Sequence, residues 1–396
     1  MTLEGGFNVA SPDDIRNGRV TDVYFLRGEE VLKHEGADPR VVAEIRTTAL
    51  PRDWRWGVLA GLDEALSLLD GHSLDVESLP EGSIFYVEEP VMVVSGRYLD
   101  FGVLETALLG LLCQASGIAT MAARCRLAAR DRPVFSFGAR RMHPAIAPMI
   151  ERAAFVGGCD GVATVKGAEL IGLDPVGTMA HALVLVLGEE RAWRGFDEAI
   201  DARIPRVALV DTFQDEKFGA IEAAKVLGKR LSAVRLDTPA SRRGDFAAIL
   251  REVRWELDER GFSGVRLFVS GGIDEHHILE LNRYADAYGI GTAISNAPVV
   301  DFALDIVELE GKPRAKRGKL SGRKSLWACS ECGNRGIAPA AARLGDCPRC
   351  GHRVRSLLET ELAPGKRRRS SPAPAEIRSR TLDQIARLPD PFGRGQ

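Results

Sequence analysis

Leu267-Phe-Val-Ser-Gly-Gly-Ile273 and Tyr288-Gly-Ile-Gly-Thr292 are two apolar, β-prone runs that each end in glycine beside a hydroxyl residue. Phosphate binding needs convergent backbone N–H groups that no Cβ obstructs, and glycine-rich strand ends leading into helix N-termini supply them. Gly-Gly alone also marks an ordinary turn. Two such ends in succession, closing a run of strand–helix units, match the phosphate site that barrel folds build from their last loops. Ser270, Gly271, Gly272, Gly291 and Thr292 are therefore the candidate phosphate cradle.

Outward from this pair, strand-like runs alternate with helical ones from about 116 to 298. They are Val134-Phe-Ser-Phe137, Gly161-Val-Ala-Thr164, Pro175-Val-Gly-Thr178, Val207-Ala-Leu-Val210, Ala233-Val-Arg-Leu236, Leu267-Phe-Val-Ser270 and Ala287-Tyr-Gly-Ile290. Such alternation predicts an α/β class fold with a parallel, barrel-like sheet and helices outside. Residues 1–115 mix extended segments (22–26, 41–45, 83–87, 91–94) with helical ones (57–69, 103–114) and read as an α+β sandwich layer. Residues 299–325 carry the alternating run Phe302-Ala-Leu-Asp-Ile-Val-Glu-Leu309 and a turn at Gly311-Lys-Pro313. Residues 361–396 open on the basic run Lys366-Arg-Arg-Arg369, read as a solvated linker, and close with Ile377, Leu382, Ile385 and Leu388 near helical spacing.

Between these lies a four-cysteine module at 326–360. Cys329-Ser-Glu-Cys332 and Cys347-Pro-Arg-Cys350 are separated by 14 residues, and each pair is followed by glycine. The spacing predicts two knuckles whose thiolates close a tetrahedral Zn²⁺ site with no open position, hence a structural metal. A redox pair would need a βαβ context that is missing here. Arginines surround the module, but no aromatic residue lies between the cysteine pairs to stack bases, so a structural appendage is expected rather than a nucleic-acid binder.

Composition narrows the class. Lys+Arg 53 against Asp+Glu 55 in 396 residues gives a net charge of −2, so no basic field favours nucleic acid, and small-molecule partners are expected. No apolar run is read as approaching the ~20 residues of a membrane span, and Met1-Thr-Leu-Glu-Gly-Gly lacks a signal-peptide pattern. A cytoplasmic protein is expected, with Cys113, Cys125 and Cys159 as buried thiols of a reducing compartment.

Chemistry concentrates at predicted strand ends. Pro175-Val-Gly-Thr-Met-Ala-His181 sets a histidine beyond a small-residue turn at Gly177-Thr178, where it can exchange a proton or accept a phosphoryl group. A lone histidine before an apolar run is as often structural. Arg140 and Arg141 follow a strand end, where a guanidinium fork can meet a carboxylate or pyrophosphate. Asp211 and Asp237 also end strands and can hold ribose hydroxyls or Mg²⁺, although Asp-Thr is equally a helix cap. Arg235, two residues before Asp237, points to the same face. His143 and Lys166 are weaker phosphate candidates.

Taken in order, Thr21-Asp-Val-Tyr24, Phe137-Gly-Ala-Arg-Arg141, Gly157-Gly-Cys-Asp-Gly161, Gly177-Thr-Met-Ala-His181, Leu209-Val-Asp-Thr212, Val234-Arg-Leu-Asp237, Ser270-Gly-Gly272 and Gly289-Ile-Gly-Thr292 follow the pattern of nicotinate phosphoribosyltransferases. The chain resembles the shorter, archaeal-type branch, whose members can carry a cysteine-rich C-terminal module, over about residues 15–325. Where that family often has Asp before Phe-Gly-x-Arg-Arg, Ser136 stands here.

The resemblance implies an irregular α/β barrel of fewer than eight strands, with 299–325 returning to the first sheet. It implies an enzyme making nicotinate mononucleotide from nicotinate and 5-phosphoribosyl pyrophosphate, with Mg²⁺, for NAD biosynthesis. ATP hydrolysis is coupled through a phosphorylated His181. One of Arg140 and Arg141 reads the nicotinate carboxylate and the other the pyrophosphate side. Phe137, Thr178 and Arg235 fall with the substrate-binding residues, and Tyr24 stacks on the pyridine across the interface of a homodimer or larger homo-oligomer with shared active sites. Nicotinamide and quinolinate phosphoribosyltransferases are the rival readings, but the Thr-Arg-Lys-Thr signature of the latter is missing, and Thr164-Val-Lys-Gly167 does not replace it. A rival of another class is a non-catalytic nucleotide-binding regulator with a zinc interaction module.

Overall fold

A computed structural model of the chain describes residues 6–389 and 392. The opening residues read for a signal peptide lie largely outside them, as do 390, 391 and 393–396 of the C-terminal segment. Two compact units form, one from 121–297 and one from 1–120 with 298–396.

The 121–297 unit is built on six strands in the order Gly161–Val162, Val134–Ser136, Ala287–Ile290, Arg266–Ser270, Leu231–Leu236, Arg206–Leu209. All neighbours are parallel, with helices in the connections. Near-continuous apolar runs such as Leu267-Phe-Val-Ser270 are buried along their length, as a sheet covered on its outer face requires. The sheet curls as a half-barrel; its two edge strands do not pair with each other. Parallel registers such as Ser270↔Gly289 and Leu209↔Arg235 bring the strand ends to one level, so the loops that follow them form a common rim.

One expected strand is corrected. Pro175–Thr178 has no strand structure, although the Val176 N–H donates to the Val162 carbonyl at 2.8 Å. Proline has no donor to offer a ladder and Gly177 packs no side chain, which explains the loss. His181 consequently does not follow a strand; it begins the helix His181–Leu187.

The other unit carries a six-stranded antiparallel sheet in the order Lys312–Pro313, Ala303–Leu309, Arg40–Arg46, Met92–Arg97, Asp75–Ser78, Glu359–Leu362. Both Ala303–Leu309 and Glu359–Leu362 thus join a sheet begun near the N-terminus. Three local readings differ. Residues 22–26, read as extended, lie at the start of the helix Val23–His34, because Glu29 to Lys33 favour a helix and pair at 2.8 Å across one turn. Extended structure in 83–87 is limited to Ile84–Phe85, and the helix expected from 57 begins at Leu62.

The helix read at 103–114 runs Glu105–Ala129, 25 residues, straight through the 115/116 boundary taken from the sequence. By length and composition it is apolar enough to cross a membrane, which the sequence reading had not counted. Leu108, Leu112, Ile118, Met121 and Cys125 are buried, as in a core helix of a folded protein.

A third small sheet holds the cysteines, in the order Arg335–Pro339, Lys324–Cys329, Val354–Ser356. Its central strand, Lys324–Cys329, is tied to the antiparallel sheet by a buried pair, Lys324 Nζ to Glu44 Oε2 at 2.9 Å. The basic run after it is anchored as well as solvated: Arg367 pairs with Asp63 at 2.9 Å, and Arg369 pairs with Glu359. The helix Pro374–Ile385 then buries Ile377, Thr381 and Ile385.

Candidate active site

At the C-terminal ends of the parallel strands lies a cleft of about 380 Å³. Phe137, Arg140, Arg141, Arg235, Asp237, Ser270, Gly271, Gly272, Gly291 and Thr292 all line it. Gly271 and Gly272 adopt φ of 86° and 66°, the left-handed region that glycine enters without a Cβ penalty. The turn after Arg266–Ser270 is thereby left open to an anion. Gly289 serves by its lack of bulk: a Cβ there would stand 2.6 Å from the Phe137 ring.

Arg235 is the hub of the floor. Its Nε donates to Ser270 Oγ at 2.9 Å and its Nη1 to Thr178 Oγ1 at 3.0 Å, while Nη2 lies 3.3 Å from Asp237 Oδ2. Its guanidinium stands 5.4 Å from the Phe137 ring centroid, a cation–π contact. Ser270 Oγ donates to Asp237 Oδ1 at 2.7 Å. The period-two reading that put Arg235 and Asp237 on one face describes this arrangement.

His181 joins the same network. Its Nε2 lies 3.5 Å from Asp237 Oδ2 and its Nδ1 3.0 Å from Thr212 Oγ1. Asp211 Oδ2 accepts the Asp237 N–H at 2.6 Å and lies 3.0 Å from Thr238 Oγ1. Burial pushes the Asp211 carboxyl above its usual range, opposed by the Asp237 N–H, the Thr238 hydroxyl and the nearby His181. Asp211 Oδ1 is buried without a partner among the described residues, an oxygen suited to a ribose hydroxyl or a hard cation such as Mg²⁺. Three guanidiniums, those of Arg140, Arg141 and Arg235, line the cleft against the single carboxylate of Asp237.

Other candidates fall elsewhere. His143 accepts the Ala145 N–H and caps a short turn, and Lys166 is exposed and pairs with Glu169. Tyr24 belongs to the other unit, where it is 60% exposed on the helix Val23–His34. Ser136 is buried, and its Oγ has no partner among the described residues. Two neighbours escaped the sequence reading. Thr212, beside Asp211, orients His181, and Glu216 Oε1 lies 2.5 Å from Thr238 Oγ1. Adjacency to Asp211 was a signal for Thr212; nothing in the sequence pointed to Glu216.

Cys329, Cys332, Cys347 and Cys350 converge with their sulfurs within 4.8 Å of one another. Each pair forms a turn, the Gly333 N–H donating to the Cys329 carbonyl at 3.1 Å and the Gly351 N–H to the Cys347 carbonyl at 2.8 Å. Burial opposes ionisation of Cys347, but the backbone N–H groups of Arg349 and Cys350 outweigh it and bring that thiol down to about 6. The His352 N–H favours the Cys350 thiolate, yet the neighbouring sulfurs drive it up to about 12. The four sulfurs could hold a metal ion, and the all-sulfur donor set suits Zn²⁺.

An arginine-lined cleft with a glycine turn at the carboxyl ends of parallel strands is the site of an α/β enzyme with small-molecule substrates. Residues 22–116 match the N-terminal domain of the quinolinate phosphoribosyl transferase family and residues 118–305 its C-terminal domain. The crystal structure of nicotinate-nucleotide pyrophosphorylase from Pyrococcus furiosus is 54% identical, with a TM-score of 0.94 over 96% of this chain and 98% of that one. A nicotinate phosphoribosyltransferase of Mycobacterium tuberculosis is 29% identical over 341 residues, 76% of this chain and 74% of the relative. Human nicotinic acid phosphoribosyltransferase, 20% identical, shares the fold with a TM-score of 0.73 over 94% of this chain and 95% of that one. The chain belongs to the nicotinate phosphoribosyltransferase family.

Proposed function

We propose that the protein transfers the phosphoribosyl group of 5-phosphoribosyl pyrophosphate to the ring nitrogen of nicotinate, releasing pyrophosphate and forming nicotinate mononucleotide for NAD biosynthesis in the cytoplasm. The observation that carries this reading is the Arg235–Ser270–Asp237–Thr178 network beneath Arg140, Arg141 and the Gly271-Gly272 turn. Transfer passes through an oxocarbenium-like sugar, so fixed charges do most of the work. The glycine turn and Thr292 cradle the 5-phosphate, Arg235 and one of Arg140 and Arg141 face the pyrophosphate, and the other reads the nicotinate carboxylate. Asp211 and Asp237 hold ribose hydroxyls and Mg²⁺, which neutralises the departing pyrophosphate when bound. Phe137 forms the apolar wall for the ring.

His181 accepts the ATP phosphoryl group, a role supported by Thr212 at one ring nitrogen and Asp237 facing the other. Tyr24 caps the pyridine from a second copy. Its helix supports that role by presenting Val23, Tyr24, Leu26 and Val31 to solvent, an apolar face suited to an isologous contact. The test is one assay of purified protein with 5-phosphoribosyl pyrophosphate and Mg²⁺, offering nicotinate, nicotinamide and quinolinate in turn, with and without ATP. Turnover of nicotinate, faster with ATP, is expected; turnover of quinolinate or nicotinamide in preference overturns the reading. Sedimentation velocity should show at least a dimer.

A further inference from the structure

A second cavity, of about 450 Å³, lies at the N-terminal ends of the same parallel strands, away from the glycine turn. Its volume falls in the ~300–1,000 Å³ range of small-molecule sites. A closed barrel packs layers of large side chains in its interior. Here the lining includes Ala233, Ala287, Gly177 and Gly264, and the missing strand at 175–178 leaves only an irregular segment across the gap. Phe135 and Phe268, whose ring centroids stand 5.7 Å apart, form the aromatic wall. Phe137 stacks beyond them in the upper cleft, 6.4 Å from Phe135. Thr178 lines the lower cavity while its hydroxyl accepts from Arg235, so the two spaces share a wall.

Water fills such a space well only where several polar groups converge, and this lining offers few. Arg266 is exposed at the mouth, and its side chain has no ion-pair or hydrogen-bond partner among the described residues. An apolar lining with two aromatic rings tilted 59° to each other, and one guanidinium at the rim, complements an aromatic ring that bears a carboxylate. We propose that this cavity is a second, non-catalytic binding site for planar aromatic acids, distinct from the cleft at the opposite strand ends.

The test uses the full chain and 2-naphthoate, which fills two rings' width and has no ring nitrogen to react, titrated calorimetrically. Binding is expected in the wild type and in Arg140→Ala and Arg141→Ala, whose side chains belong to the other cleft. Arg266→Ala should weaken it about tenfold, the effect of losing one charge-assisted contact. Ala233→Phe should abolish it by filling the space. Gly264→Leu, where an added Cβ meets nothing within 4 Å, provides a second filling variant should Ala233→Phe fail to fold. Unchanged binding in a folded filling variant, no wild-type binding at millimolar ligand, or loss only in the Arg140 and Arg141 variants overturns the proposal.

Discussion

Arg140 and Arg141 are adjacent and both exposed on the same short turn, so kinetics rather than position should separate them. Replacing the one that reads the carboxylate by Ala should weaken nicotinate use by roughly 2–5 kcal/mol in transition-state terms, while nicotinamide, uncharged there, loses much less. The other should depress both bases alike. Measuring kcat/KM for both bases in each variant decides this, and an unchanged ratio in both moves carboxylate recognition elsewhere. His181→Ala should abolish ATP hydrolysis and the ATP-dependent gain while slow transfer persists, because phosphoryl shuttling and sugar transfer use different groups. ATPase activity unchanged in that variant would remove His181 from the coupling. Most residues that line this cleft were legible as basic, acidic and glycine residues at or just beyond strand ends. Their pairing was not, since Arg235 meets Ser270 across 35 positions of sequence and Glu216 meets Thr238 across 22.

The helix Glu105–Ala129 shows what an element adds. Glu105 in its first turn suits the helix dipole, yet burial, and after it the charges of Asp305 and Asp22, push its carboxyl up to about 7. A folded pKa raised from an ordinary 4.5 means that stability is complete below about 4.5 and is lost as pH rises through about 7. Glu105→Gln cannot ionise, so relative to wild type it should gain about 1–2 kcal/mol between pH 5 and pH 8, a figure reduced for the group's partial exposure. Urea unfolding at both pH values checks this, and a pH-independent difference contradicts it. On the strand Ala287–Ile290, Gly289→Ala should push Phe137 off its place over Arg235, costing ~1–3 kcal/mol of stability and raising KM for 5-phosphoribosyl pyrophosphate. Thermal melts and initial rates measure both effects. Helix starts were harder to read than helices: Val23-Tyr-Phe carries β-prone side chains, but the good helix formers that follow govern the segment.

For the whole molecule, the cysteine module is joined by Lys324 to the six-stranded antiparallel sheet and by Arg335 to the 84–89 segment, Arg335 reaching Glu89 at 2.7 Å and the Ile84 carbonyl at 3.1 Å. Cys347→Ser should therefore release zinc and lower Tm without a selective loss of catalysis. Metal analysis with calorimetry reads the outcome; normal zinc content, or full stability with lost activity, contradicts a structural metal. By itself the sequence determined the α/β alternation, the positions of the glycine-rich strand ends and the four-cysteine donor set. All of these are local: propensity, period and spacing act over a few residues. Only the tertiary structure decided that Pro175–Thr178 drops out of the sheet, that Glu359–Leu362 joins strands from near the N-terminus, and that His181, Asp237, Thr212 and Arg235 form one network. Those outcomes depend on which surfaces meet and which backbone groups find partners, contacts between distant positions that no local pattern encodes.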